Sequence, residues 1–189
     1  MSDSIQIRMG GYGPPSTTFS RGLKLIGDKL SAQFGDRIDV KYVWNIMDLG
    51  FKGEDIWWLV EHGLLTLGYQ SSSALTDRVP ALGVADLPFL FETNAQARAA
   101  IDGPLGAFIA AQMESKVNYR ILGFFENGFR HISNRLRPVR VPADLKGLRI
   151  RTLNSRIHER TFELVGAIPV RSGLKEAIVA MTEGRVDAQ

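Results

Sequence analysis

The feature that most narrows what this chain can become is the alternation of short apolar strands with amphipathic helices along its whole length. Ile5, Ile7 and Met9 alternate as a first strand, and Gly10-Gly-Tyr-Gly-Pro-Pro15 follows as a stiff turn. Ser16, Thr17 and Thr18 are N-cap candidates for a helix. Its apolar face is Phe19, Leu23, Ile26, Leu30 and Phe34, spaced by three and four, with Gly35 closing it. Ile38, Val40, Tyr42 and Trp44 alternate as a second strand. Glu54–His62 reads as a short helix with Ile56, Trp57, Leu59 and Val60 inward, stopped by Gly63. Leu64–Gly68 is then a strand running into Tyr69-Gln-Ser-Ser-Ser73. Polar loops at the carboxyl ends of strands are where open α/β sheets usually take ligands.

The pattern continues. Thr93 and Asn94 cap an alanine-rich helix to Ile101, and Leu105–Ser115 supplies another. Arg120–Phe125 reads as a strand, broken at Asn127-Gly128 and resumed as Arg130–Asn134. Pro142–Gly147 is a turn into Leu148–Thr152, whose alternation puts Arg149 and Arg151 on one side. Ser155–Val165 and Leu174–Thr182 read as helices around a short strand, Ile168–Val170, and Val186–Gln189 begins a further strand. Strands alternating with helices predict an α/β fold with mostly parallel sheets. Charge divides the chain as well. Residues 130–171 hold ten Lys/Arg against three acids, while the remainder holds thirteen bases against seventeen acids. The basic part suggests an anionic partner, and the break near Phe125–Asn127 suggests modules at 1–125 and 126–189.

Several function classes lose ground on motifs. No stretch approaches the roughly 18 unbroken apolar residues of a membrane helix; Ala81–Phe91 is interrupted by Asp86 and Pro88. With no cysteine there are neither disulfides nor thiolate metal sites. There is no Gly-x-Ser-x-Gly elbow, and His62, His131 and His158 are scattered and read as surface or cap residues. No HExxH or Asp-rich loop suggests a metal, and the Gly10–Pro15 turn has the wrong glycine spacing for a dinucleotide. The isoelectric point near 9.3 raises nucleic acid as a partner, but the bases sit among prolines and strand residues with few aromatics interleaved. Neither a cofactor nor nucleic acid is therefore expected. What remains is Arg130 and Arg151, each at the end of an apolar strand segment. A guanidinium can grip a carboxylate through two charge-assisted hydrogen bonds. Taken alone, the pair is weak evidence for a site, since strand-end arginines are commonly structural.

Three stretches go further: Gly128-Phe-Arg-His-Ile-Ser-Asn134, Pro142-Ala-Asp-Leu-Lys-Gly-Leu-Arg-Ile-Arg151 and Val186-Asp-Ala-Gln189. With Gly166-Ala-Ile-Pro169 between them, their order closely resembles the solute-binding proteins of tripartite ATP-independent periplasmic (TRAP) transporters, the DctP family. Phe51–Gly68 and Asp86-Leu-Pro-Phe-Leu90 resemble that family's N-terminal region, so the likeness spans essentially the whole chain. It implies a periplasmic binding protein-like fold, two α/β lobes with a ligand cleft between them. It implies too that this chain stops where the family continues with further strands and a hinge-spanning helix. By the same resemblance Arg151 is the carboxylate-binding arginine, Arg130 the second arginine and Asn154 a ligand contact. Tyr69 falls at a substrate-selecting position and Leu174 at a wall position, while Tyr12 and Glu54 are placed by loop position. The implied function is capture of a small organic acid for a membrane permease, without catalysis. The implied location is the periplasm, although Met1-Ser-Asp-Ser shows no basic leader and is read as following a removed or replaced signal. A ligand-sensing protein on the same fold, or an enzyme acting on a small carboxylic acid, is the alternative.

Overall fold

A computed structural model describes residues 4–189. By contact the chain forms two compact units, up to Ser71 and from Ser72 onward.

The first unit is a three-stranded parallel sheet in the order β2-β1-β3. Strand β1 (Ile5–Gly10) pairs along its length with β2 (Ile38–Val43) and, at its carboxyl end, with β3 (Leu67–Gly68). Parallel neighbours need a crossover, and helix α1 (Thr18–Phe34) supplies it between β1 and β2. Thr17 caps it, its hydroxyl accepting from the Ser20 N–H. Gly35 ends it with a positive φ of 54°, a conformation that favours glycine. Met9, Leu23 and Tyr69 form the core on the α1 side of the sheet, with Phe19, Val40 and Tyr42 packed around them. Helix α2 (Ile56–Glu61) follows β2, and its Ile56 and Leu59 pack with Ile46 and Leu65. The α1 face differs in one place from its apolar spacing. Gly27 is buried and Ile26 is exposed, because a Cβ at 27 would lie 2.0 Å from the Tyr42 hydroxyl. The glycine lets the helix sit against β2.

In the second unit, helices α3 (Asn94–Ile101, capped by Thr93) and α4 (Pro104–Glu114) precede a β-α-β element. Strand β4 (Arg149–Thr152), helix α5 (Arg156–Leu164) and strand β5 (Ile168–Arg171) make it, and β4 and β5 pair in parallel. Residues 186–189 run along the other edge of β4: Ala188 bridges Ile150, and the Arg151 N–H donates to the Ala188 carbonyl at 2.7 Å. Leu145, Leu148, Ile150, Ala167 and Ala188 form the core, and Ala177 and Ala180 of helix α6 (Leu174–Thr182) are buried.

Two expected strands are not formed. Residues 120–125 make no ladder, and of 130–134 only Ser133 and Asn134 pair, with Gln189 and Ala188. The alternation is there, but a strand exists only against a partner, and Leu122, Phe124, Phe125 and Phe129 are exposed. By contact, the two compact units meet at Ser71/Ser72. The segment Pro80–Asp86 packs on α5, where a Cβ at Gly83 would meet the Ile157 side chain at 2.6 Å.

Candidate functional site

Strand β4 gives its two arginines different work. Arg149 closes a fork on Asp187, with Nε 2.9 Å from Oδ2 and Nη2 2.8 Å from Oδ1. The Arg149 backbone N–H and Arg135 donate to the same carboxylate, both at 3.1 Å, so Asp187 is buried but saturated. The Arg149 hydrogen bonds, more than its burial, hold the Asp187 carboxyl far below the usual carboxylate range. This is a structural anchor fixing 186–189 against β4.

Arg151, half-buried, is oriented by the backbone carbonyl of Ser172, which takes two of its five N–H donors at 3.1 and 2.8 Å. Its side chain lines a small recess with Arg130, Thr152, His158, Phe162 and Gln189. The sequence-predicted pair of arginines therefore meets at one place. Arg130 itself is exposed. Around Arg151, the buried Thr152 Oγ1, Asn154 Oδ1 and Ser172 Oγ find no hydrogen-bond partner among the described residues. Leu174 begins α6, two residues past Ser172, and is 47% exposed.

Behind the recess lies a polar cluster that sequence reasoning missed. His158, expected at the surface or as a cap, is 6% exposed. It is the third residue of α5, whose N-cap Ser155 accepts from the His158 N–H. Its Nε2 faces Asp86 Oδ1 at 3.5 Å, while Asp86 Oδ2 accepts from Ser73 Oγ at 2.7 Å and Ser155 Oγ at 3.3 Å. Burial works to raise the Asp86 pKa, but the His158 and Ser73 contacts and the charges of His158 and Arg130 outweigh it and lower it. A lone acid inside the apolar run 81–91 was the available signal, since a buried carboxylate needs donors. The cluster is not a nucleophile triad: both serine hydroxyls donate to the carboxylate and neither to the imidazole.

The first unit gathers the other predicted residues at the carboxyl ends of its strands. Tyr69, just past β3, is buried, its ring 5.1 Å from that of Tyr12 and 5.6 Å from that of Phe19. Ser20 Oγ donates its one hydrogen to the Gly13 carbonyl at 2.9 Å, so the Tyr69 hydroxyl is the donor in their 3.0 Å contact. The glycines of the first turn now have a reason. A Cβ at Gly11 would stand 2.5 Å from the Tyr69 ring, so the loop can wrap it only without side chains. Burial, then the neighbouring Tyr69 and the charge of Glu54, push the Tyr12 phenol up to about 12. It stays a protonated donor at any physiological pH. Glu54 sits half-buried in the turn Gly53–Asp55 that leads into α2. Tyr12, Tyr69 and Glu54 thus form one group, and Arg151, Arg130, Asn154 and Leu174 belong to the other unit.

Residues 9–189 match the model of DctP, bacterial extracellular solute-binding protein family 7. A solute-binding protein of Verminephrobacter eiseniae is 36% identical over 155 residues, 82% of this chain and 45% of that protein. The 2,3-diketo-L-gulonate-binding periplasmic protein YiaO of Escherichia coli is 35% identical over 130 residues, 69% of this chain and 39% of its own length. The chain thus spans less than half of these relatives. Among solved structures, a TRAP periplasmic solute-binding protein from Polaromonas sp JS666, bound to D-erythronate, superposes with a TM-score of 0.89 at 26% identity. That match covers 98% of this chain and 60% of the other. The periplasmic binding protein-like fold expected from the sequence is the one found.

Proposed function

Because this chain belongs to the DctP family of bacterial extracellular solute-binding proteins, we propose that it captures a small organic carboxylate in the periplasm for a TRAP permease. The observation that carries this reading is Arg151, held by the Ser172 carbonyl at the edge of a recess it shares with Arg130. Arg151 is the anchor for the ligand carboxylate: a planar fork, fixed in orientation before the ligand arrives, gains more per hydrogen bond than a mobile one. Arg130 adds a second positive charge at the recess mouth. Asn154 supplies a polar contact and Leu174 an apolar wall. Tyr12, Tyr69 and Glu54 form a second polar and aromatic surface, in which Tyr12 offers a donor and Tyr69 is committed to holding the Gly11–Gly13 loop. Residues 1–125 and 126–189 are taken as contributions to two lobes of the complete protein. Nothing is turned over in this reading. It needs no general base, and the Asp86 carboxylate beside His158 is already occupied by Ser73, Ser155 and His158.

A thermal-shift screen of the protein against a panel of organic acids tests the proposal. A ligand that binds only the folded form stabilises it by about 2.7 kcal/mol at a hundredfold excess over Kd. One class of acids raises the melting temperature while matched amines and neutral sugars do not. A flat response to every acid, from protein with a cooperative melt, overturns the reading.

A further inference from the structure

Arginine and an organic carboxylate both keep their charges from about pH 5 to about pH 9, so Arg151 and Arg130 by themselves would grip an acid equally well across that range. The recess has a third basic member of a different kind. His158 is only 6% exposed, yet its ring borders the recess with Arg151, Thr152 and Phe162. Imidazole is the side chain whose charge ordinarily changes between pH ~5 and pH ~8. Charges of both signs act on this ring. Asp86 Oδ1 lies 3.5 Å from Nε2, and the other oxygen accepts from Ser73 Oγ at 2.7 Å and Ser155 Oγ at 3.3 Å. Burial works to raise the Asp86 pKa, but the contacts with His158 and Ser73 lower it, so this carboxylate stays ionised throughout the range. Arg151 and Arg130 share the recess and oppose a positive ring. The other groups there are the exposed His131 and Gln189, whose main-chain carboxyl oxygen accepts from the Ser133 N–H at 2.9 Å. On α5 itself, the neighbouring Glu159 is taken up by Arg171. A carboxylate gripped by Arg151 offsets the repulsion of the arginines and attracts a charged ring, in a site where water screens weakly.

We propose that His158 couples ligand capture to proton uptake: with its ring protonated the recess holds a third positive charge, and the ligand carboxylate binds more tightly in mild acid than in mild alkali. This rests on the carboxylate-capture reading above and names its regulation. Linkage makes the effect reciprocal: whatever factor the proton adds to the affinity for the acid, the acid adds to the ring's affinity for the proton.

The test is isothermal titration calorimetry with D-erythronate and D-glucuronate from pH ~5.5 to pH ~8.5, a range in which both acids are ionised throughout. Affinity is expected to be about tenfold higher at the acid end. Buffers of different ionisation enthalpy then show uptake of part of a proton on binding. His158→Gln keeps an amide donor for Asp86 but carries no charge that titrates, and it binds with one Kd at every pH. His131→Gln, the control for the exposed ring, leaves the wild-type pH dependence in place. Should His158→Gln lack a cooperative melt, the wild-type ring itself is followed by NMR, and its titration midpoint rises when the acid is bound. A wild-type Kd that does not vary with pH, a dependence that follows His131 and not His158, or a His158 midpoint unmoved by the acid overturns the inference and leaves carboxylate capture standing. If neither acid binds folded protein at any pH, capture fails and the proton linkage fails with it.

Discussion

Arg149 and Arg151 show what a sequence can and cannot say about a single side chain. They are two residues apart on one strand, on the same side of it, and nothing in the local pattern distinguishes them. The difference comes from Asp187, 38 residues beyond Arg149, which takes the Arg149 fork and draws 186–189 onto β4. His158 was illegible for the same reason. Its role depends on Asp86 and Ser73, far away in sequence, whereas the cap at Ser155 lies three residues off and was readable. The Asp187 anchor has a pH signature. Its folded pKa is depressed, so its contribution is complete above the ordinary carboxylate value of about 3.9 and is lost as pH falls through the lower folded value. Asp187→Asn therefore lowers the melting temperature at pH 7, and the gap to wild type narrows below pH ~4 as the wild-type carboxyl takes up its proton. A gap of constant size from pH 7 down to pH ~2, followed by circular dichroism, contradicts that account.

Helices were more legible than strands because a helix closes its hydrogen bonds within itself. Thr17, Thr93, Ser155, Gly35 and Gly63 all mark ends that the sequence announces. Strands depend on a neighbour. Leu64–Gly68 shortens to the two paired residues of β3, and 120–125 forms no strand. The inward face of α1 was read correctly at Leu23 but not at Gly27, because apolar spacing is blind to a glycine that matters by having no side chain. Gly→Ala inside a helix normally stabilises by about 1 kcal/mol. At Gly27 the methyl would collide with the Tyr42 hydroxyl, which is held by a ring stacked on Trp44 at 4.3 Å. Gly27→Ala is expected to cost about 1–2 kcal/mol in urea unfolding, the ordinary penalty of overpacking. Tyr42→Phe in the same chain should recover most of that loss. A stabilised single variant would show that α1 is free to shift on the sheet.

Across the whole chain, the fold class and family were legible because both are carried by order: strand, helix and the spaced motifs around Arg130, Arg151 and Val186. The division at Ser71/Ser72 was not, since it is decided by the packing of Pro80–Asp86 on α5 and leaves no mark on composition or charge. Nor was the grouping of site residues, four in one unit and three in the other. The relatives are more than twice as long as the stretch they share with this chain, and the proposed anchor, Arg151, lies within the residues described. The account stands or falls on that anchor. Calorimetric titration of the best acid from the thermal-shift panel into wild type and Arg151→Ala addresses it directly. Removing one partner of a buried, hydrogen-bonded charge pair is expected to cost about 3–5 kcal/mol of binding, with the melting temperature of the free protein little changed. An Arg151→Ala protein that binds the same acid with the wild-type Kd would contradict the assignment of Arg151 as the carboxylate anchor.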